Sequence, residues 1–589
     1  VSRNTKYQLV IAIDFGTARS GYAYHFMADD NLKEPSFRNK WPDTNENYPK
    51  TLTEILFTPD GSVEAWGHTA KKRFVQLQER AEEKGYIFID NFKTLLHEGQ
   101  DRDEDGPYII KEEKKFSVLH LIAEFLRQVK EVSLNDIAVG LGGEDLLEEN
   151  KILWCLTVPA VWGEDSKKLM RRAAQIAGLI GEGTEEAERL FLVLEPEAAA
   201  VYCQQVMLRR KESAPLVTDK VIMIVDSGGG TVDITVHEVV KDKGLDEVVP
   251  RDGGLHGSKY VDKSFREFLD QKLSIEAMNE FQTQWPVEYT KLINEEWESI
   301  KCGYDADPNW ISSIRLPRRL EKILQGNYPQ ILEQLANAQG GDDTVIRLTS
   351  KNMEEIFKPT LDLLIAKVRD LFTALKGRQC DILFLVGGFA ESPILMKRIE
   401  EEFGSKVERI IRPDRPGAAV LLGAASFGVN PGAIIARRSA LTYGTSVMTP
   451  FIESLDPEEK RVPKEVVSEI YRQKEVVDYC HGVFDIYVAA GDRVPTDAIV
   501  KRSYVMPPNQ TETVKTFLST SNPTVRHIDE EGVNEIASVE IRLPFAPKDK
   551  EQKLVDVEML FGLSEVVAYV IDPISGNRER CNFRFSSNY

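Results

Sequence analysis

No stretch of this chain approaches the roughly eighteen uninterrupted apolar residues of a membrane-spanning helix. The amino end, Val1-Ser2-Arg3-Asn4-Thr5-Lys6, lacks the charged-then-apolar form of a signal peptide. A cytoplasmic protein without membrane insertion is the expectation. The six cysteines, at 155, 203, 302, 380, 480 and 581, include no C-x-x-C pair, which argues against zinc or a disulfide framework and for reduced thiols packed in cores. No G-x-x-x-x-G-K-[ST] occurs, which argues against a P-loop NTPase. Positive charge is short as well. The 74 basic residues against 94 acidic ones leave a net charge of −20, which disfavours nonspecific binding to nucleic acid or an anionic membrane.

What is present starts with size. A chain of 589 residues is too long for one core, and 42% hydrophobic with 29% charged residues is the composition of a soluble, multidomain globular protein. Twice, an apolar, strand-forming run ends in an aspartate and a glycine-containing turn. The first is Val10-Ile11-Ala12-Ile13-Asp14-Phe15-Gly16-Thr17, the second Val221-Ile222-Met223-Ile224-Val225-Asp226-Ser227-Gly228-Gly229-Gly230-Thr231-Val232-Asp233. Alternating apolar positions follow each turn, so both read as strand, turn, strand. A lone turn of this kind joins ordinary strands in many proteins. A repeat, with a third glycine site at Val386-Gly387-Gly388, points to a nucleotide phosphate and its metal. Glycines let backbone N–H groups approach anionic oxygens, Thr17 and Thr231 add hydroxyls, and hard Mg²⁺ is usually held by only one or two carboxylates, here Asp14 and Asp226.

Along the rest of the chain, strands alternate with helices. The segment 117–132 carries Leu119, Ile122, Phe125, Leu126 and Val129 on one helical face. Ile152-Leu153-Trp154-Cys155-Leu156-Thr157-Val158-Pro159 reads as a buried strand, 166–179 as a basic amphipathic helix, and Leu190-Phe191-Leu192-Val193-Leu194 as a strand leading to a helix at Ala198. This alternation predicts α/β layers. Residues 263–375 read as mostly helical, with 315–348 ambiguous. Near Asn430-Pro431-Gly432 helix signals give way to short strands with Pro, Asn and Gly turns, which places a boundary around 431–438 and domains at 1–432 and 433–589.

In this order the motifs resemble the ATPase superfamily of actin, sugar kinases and DnaK-type heat-shock chaperones. Thr157-Val158-Pro159-Ala160, Glu195-Pro196-Glu197-Ala198-Ala199-Ala200 and Gly417-Ala418-Ala419-Val420 are similar to connecting motifs of the chaperone branch. Asp14-Phe15-Gly16-Thr17, the second hairpin, Phe384-Leu385-Val386-Gly387-Gly388-Phe389-Ala390-Glu391 and Leu441-Thr442-Tyr443-Gly444 most resemble the divergent heat shock 70 kDa protein 12A/12B branch. The resemblance implies a two-lobed actin-like ATPase domain with duplicated ribonuclease-H-like cores, closing on Mg-ATP or Mg-ADP. It further implies an all-β, sandwich-like module with no helical lid after it. Asp14 and Asp226 would hold hydrated Mg²⁺. Lys93, Glu195, Asp226, Thr231 and Asp233 form the implied catalytic set, with Lys93 stabilising charge on the transferring phosphoryl; the alternative for Lys93 is a solvent-facing helix lysine. Gly16, Thr17, Ala18, Gly228, Gly229, Gly230 and Thr231 would border the phosphates. Gly257, Glu298, Lys301, Gly387, Gly388, Phe389 and Ser392 complete the implied nucleotide contacts.

Two positions depart from the family pattern. Ala18-Arg19 replaces a second threonine, and Arg19 either alters the γ-phosphate contact or turns to solvent. Cys302 stands where an adenine-stacking arginine is usual, a loss worth about 0.5–2 kcal/mol. The linker Ala433-Ile434-Ile435-Ala436-Arg437-Arg438 is less apolar than in ordinary chaperones. The leading expectation is a slow chaperone-type ATPase that binds a protein or peptide client through the β module; a nucleotide-exchange factor is admitted as a further partner. The alternatives are a nucleotide-gated scaffold with negligible hydrolysis and a small-molecule kinase.

Overall fold

A computed structural model of the chain describes residues 6–29, 33–77, 85–96, 102–103, 106–111, 113–143, 147–209, 218–240, 244–467, 474–506, 512–542, 553–561, 564–571, 578–580 and 582–585. Two units result, Val1–Leu245 with Arg251–Ala433, and Asp246–Pro250 with Ile434–Tyr589.

In the first unit, both apolar runs are strands whose every residue is buried. β1 (Leu9–Phe15) turns back into β2 (Arg19–Phe26), and the pair runs antiparallel from Leu9–Phe26 to Phe15–Ser20. Helix α1 (Val118–Leu141) leads towards β3 (Ile152–Val158), which lies parallel to β1. Helix α2 (Glu164–Ile176) then precedes β4 (Leu190–Leu194), parallel to β3, and α3 (Glu195–Arg209) starts directly at its end. The same plan recurs. β5 (Val221–Ser227) and β6 (Val232–Val240) form the second hairpin, β7 (Ile382–Val386) runs parallel to β5, and β8 (Arg409–Ile411) parallel to β7. The orders β4-β3-β1-β2 and β8-β7-β5-β6 are therefore equivalent. Parallel neighbours require crossover connections, which is why helices separate these strands.

Packing fixes the turns that matter later. Phe92 is fully buried, with its ring 6.0 Å from that of Phe15 and 6.4 Å from that of Phe125. This anchors the 3₁₀ turn Phe92–Leu96, which carries Lys93. The long helical reading of 263–375 is corrected in its middle. Helices α6 (Arg318–Asn327) and α7 (Pro329–Ala338) are flanked by strands Ile311–Arg315 and Val345–Thr349, which pair antiparallel. On the first strand only Ile314 is buried, so it shows no clear apolar alternation, whereas the second buries Ile346 and Leu348 at alternate positions.

The second unit is built of strands, and among its described residues the helical structure is the turn Glu458–Lys460. One antiparallel sheet runs in the order Arg461–Val467, Lys474–Val488, Thr442–Pro450, Glu512–Thr520, Asn534–Arg542, Asn582–Phe585. The other runs Ile499–Met506, Lys553–Leu560, Val567–Ile571, Arg578–Arg580. The turn expected at 573–577 and the strand end at Leu543 and Pro544 lie outside the described residues. A buried knot secures this unit. The Asp456 carboxylate accepts from Arg526 Nε at 3.0 Å, Arg526 Nη2 at 2.9 Å and the Ile452 backbone N–H at 2.8 Å, and stands 3.2 Å from His527 Nε2. Cys480 Sγ is 3.8 Å from the same ring nitrogen. Asp456, Cys480 and His527 are close enough to share an ion. The guanidinium already neutralises the carboxylate, so the cluster reads as a structural ion pair.

Two predictions follow from this packing. Helix α8 (Ala419–Val429) is buried along its whole length, and a Cβ on Gly423 would overlap the Ala198 carbonyl of α3. Gly423→Ala should therefore force the two helices apart and destabilise the first unit by about 1–3 kcal/mol, read as a lower denaturant midpoint. The second concerns Glu54, which is buried in strand Glu54–Phe57 with Oε2 unpartnered. Burial pushes its pKa up to about 8, with Lys71 opposing and Asp90 reinforcing the shift. Between the ordinary carboxylate value and about 8 the folded chain holds an extra proton, so stability falls as pH rises through that window. Glu54→Gln should melt higher than the parent at about pH 9 and close to it at about pH 5.

Candidate functional site

The two hairpin tips meet. A Cβ on Gly229 would lie 2.8 Å from the Ala18 Cβ, and one on Gly230 would overlap Thr17 Oγ1. Around the junction lies a cavity of about 480 Å³, the size of an ordinary small-molecule site. The second tip is held open by its own backbone. The carbonyls of Gly228, Gly229 and Gly230 accept from the N–H groups of Ser258, Lys259 and Gly257, at 3.0, 2.9 and 3.2 Å. In a trans peptide the N–H points opposite to its carbonyl. The N–H groups of Gly229, Gly230 and Thr231 are thereby turned the other way, as in an anion-binding nest. At the first tip, Thr53 Oγ1 donates to the Gly16 carbonyl at 2.8 Å and lies 2.8 Å from Ser20 Oγ.

Four carboxylates are buried here: Asp14, Glu195, Asp226 and Asp233. Asp14 Oδ1 accepts from Thr157 Oγ1 at 3.0 Å. Its Oδ2 lies 2.6 Å from Lys50 Nζ, a charge contact whose angle leaves that oxygen without an aligned hydrogen bond. Lys93 Nζ donates to Glu195 Oε1 at 2.7 Å and stands 5.2 Å from the Trp162 ring and 5.7 Å from that of Phe15. The 3%-exposed Lys93 is thus directed into the cleft, not to solvent. Burial raises the Glu195 pKa to about 7 against the opposing pull of Lys93, with Asp233 and Asp14 adding to the rise. Asp226 is raised well above the usual range by burial, then by Glu195 and Asp233. Burial works against the charge of Lys50, but Asp14, Tyr48 and Asp226 together hold the ammonium above its usual pKa. Two ammonium groups among four carboxylates leave a negative excess, which suits a hard divalent cation held by Asp14 and Asp226.

The far end of the cleft is set by α4 (Lys259–Leu273), α5 (Glu298–Gly303) and the turn after β7. Asp262 accepts from Trp297 Nε1 at 2.8 Å and from Lys301 Nζ at 2.7 Å, and Lys301 also pairs with Glu298 at 2.6 Å. Phe265 stacks on Trp297 at 3.9 Å, so α5 presents its side chains on a rigid base. A π-helical turn, Leu292–Trp297, precedes α5, a device frequent at functional sites. Cys302 is exposed at the rim of the cleft, where partial desolvation by the surrounding protein, with Glu298 beside it, pushes its thiol pKa up to about 12. Gly387 has φ +89° and its missing Cβ would meet both Ser227 O and Asp226 Oδ1, so only glycine fits. Ser392 Oγ is buried in the lining without a hydrogen-bond partner, the mark of a polar ligand site.

Gly16, Thr17, Ala18, Gly228, Gly229, Gly230, Thr231, Glu298, Lys301, Gly387, Gly388, Phe389 and Ser392 all line this cleft, with Asp14, Lys93, Glu195 and Asp226. Two expected residues stand behind it. Asp233 Oδ1 accepts from the Ala160 and Val161 N–H groups at 2.7 and 3.3 Å, and Gly257 packs under the second tip. Of the two sequence alternatives for Arg19, the solvent-turned one does not hold. Arg19 lines the cleft with Nη1 2.5 Å from Glu46 and its guanidinium 5.0 Å from the Tyr48 ring centre. Glu46, Tyr48 and Lys50 were invisible in the sequence, where they belong to a polar stretch with no periodicity. The strand pair Thr51–Ser20 and Leu52–Arg19 delivers them, which is a long-range contact.

Among known sequences, the model of the Hsp70 protein family matches residues 92–496. Heat shock 70 kDa protein 12A of Homo sapiens is 30% identical, over 97% of this chain and 90% of that protein. Heat shock 70 kDa protein 12B of Homo sapiens is 26% identical, over 100% and 92% respectively. Chaperone protein DnaK of Thermosipho africanus is more distant, at 24% identity over 78% of this chain and 66% of that protein. With a family match across most of the chain and relatives along nearly all of it, this protein belongs to the Hsp70 family.

Proposed function

We propose that this protein is a slow, magnesium-dependent ATPase of chaperone type that couples nucleotide state to the binding of a protein or peptide client. One observation carries the reading: both hairpin tips, the Lys93–Glu195 pair and the carboxylates Asp14 and Asp226 open onto a single cleft. The N–H groups of Gly229, Gly230 and Thr231, with the hydroxyls of Thr17 and Thr231, donate to phosphate oxygens. Lys93 aims its ammonium at the transferring phosphoryl group, where developing charge gains most from a fixed cation. Glu195, with a pKa near 7, orients the attacking water and is poised to accept its proton. Asp233 keeps the Ala160 turn in place through two backbone N–H groups. Mg²⁺ held by Asp14 and Asp226 would supply charge neutralisation at the phosphates.

The strands of residues 434–589 are assigned as the client-binding module, and a nucleotide-exchange factor as a second partner class. The domain division intended is 1–432 and 433–589. Four buried cysteines without disulfides, Cys155, Cys203, Cys380 and Cys480, fit a reducing cytoplasm. No described helix is long and apolar enough to cross a membrane. A second reading, a nucleotide-gated scaffold with negligible hydrolysis, is favoured by Ala18 and Cys302, which line the cleft without a hydroxyl or a cation.

Single-turnover release of γ-phosphate separates the two. The parent should release phosphate, and Lys93→Ala should slow it at least about a hundred-fold while ATP affinity stays within about five-fold. Equal rates in parent and variant would remove Lys93 from the chemistry, and no release from the parent would favour the scaffold.

A further inference from the structure

The segment carrying Glu46, Tyr48 and Lys50 enters the cleft from outside every motif identified in the sequence. Its backbone is fixed, because Thr51 and Leu52 pair with Ser20 and Arg19 of β2 and a Cβ on Gly21 would overlap the Pro49 carbonyl. Tyr48 closes over the opposite wall, its hydroxyl filling the space that a Cβ on Gly417 would need and lying 3.6 Å from that of Gly388. Between these two anchors, the Lys50 side chain is 12% exposed and Nζ reaches Asp14 Oδ2 at 2.6 Å.

The other charges around it have partners of their own. Lys93 is committed to Glu195 at 2.7 Å, and Asp233 Oδ1 to two backbone N–H groups. Asp14 is paired with Lys50, which also acts electrostatically on Asp226. Among the described residues no hydrogen-bond donor reaches the Asp226 carboxylate, and its electrostatic partners include Lys50 and Asp14. A tethered ammonium at this point already neutralises part of the two carboxylates, and it would repel a second cation brought within a few ångströms. It also lies beside the phosphate-binding N–H groups, where it can donate to an anionic oxygen directly.

We propose that Lys50 is a nucleotide-site residue, a resident cation paired with Asp14 beside the position assigned above to a divalent metal, which lets this chain bind nucleotide with little dependence on magnesium. The proposal rests on the nucleotide reading of the cleft. Asp14 and Asp226 remain the groups that hold magnesium for hydrolysis; what Lys50 changes is the affinity step.

The test is ADP binding to the full chain by calorimetry, in excess magnesium and in EDTA. The parent should lose no more than about three-fold in affinity in EDTA, Lys50→Gln about thirty-fold or more, and Lys50→Arg should behave like the parent. In addition, magnesium alone should raise the melting temperature of Lys50→Gln and leave the parent unchanged. A parent that weakens about thirty-fold or more in EDTA overturns the proposal while leaving the nucleotide reading intact, and so does a folded Lys50→Gln as indifferent to magnesium as the parent. A parent that binds no ADP in either buffer overturns both, and is told apart by the missing signal with magnesium present. Should Lys50→Gln fail to fold, the parent and Lys50→Arg decide between these outcomes.

Discussion

Folding this chain places four carboxylates in one crevice where each is less than a tenth exposed: Asp14, Glu195, Asp226 and Asp233. Buried charge of one sign costs several kcal/mol per ion unless it is matched, and the matching accounts for the local architecture. Asp233 is met by the N–H groups of a backbone turn, Glu195 by Lys93, Asp14 by Thr157 and Lys50. The raised pKa values of Glu195 and Asp226 record what the matching leaves uncompensated. A crevice that concentrates such charge at the tips of two hairpins is a site kept for a ligand, because stability alone would favour apolar residues there.

The scaffold behind the crevice serves to hold those tips still. β1 and β5 are buried along their full length, so the aspartates at their ends cannot shift without moving a sheet. α3 and α8 pack so closely at Ala198 and Gly423 that no side chain fits between them. α3 begins with Glu195 itself, so its contact with α8 also fixes the partner of Lys93. On the other side, the ring of Phe92, set among Phe15 and Phe125, positions Lys93 from the core outwards. Acid and ammonium are thus placed by two independent pieces of packing that converge at 2.7 Å.

The parts of the site legible in the sequence are those where local chemistry dictates geometry. An apolar run, an aspartate and a glycine turn specify a strand and a sharp reversal with exposed N–H groups, and both hairpins fold that way. Lys93 carries no such local signal and was placed only by family resemblance. Glu46, Tyr48 and Lys50 escaped because a short strand pair delivers them, and two paired residues leave no periodic trace. The strand Ile311–Arg315 was missed for want of apolar alternation, since only Ile314 is buried on it. The Asp456–Arg526–His527 knot was missed because its members come from distant parts of the chain.

Lys50 and Arg19 change how the two departures from the family pattern weigh. Ala18 takes a hydroxyl from the end of the cleft at the two hairpin tips, but Lys50 reaches Asp14 at that end with a charged donor, stronger than a neutral one. Cys302 takes a cation from the base end, but Arg19 lines the same cleft and lies within the fields of Glu298 and Cys302. Cationic groups are therefore moved within the crevice and not lost from it. Both additions ride on β2 or the strand paired with it, next to the first hairpin.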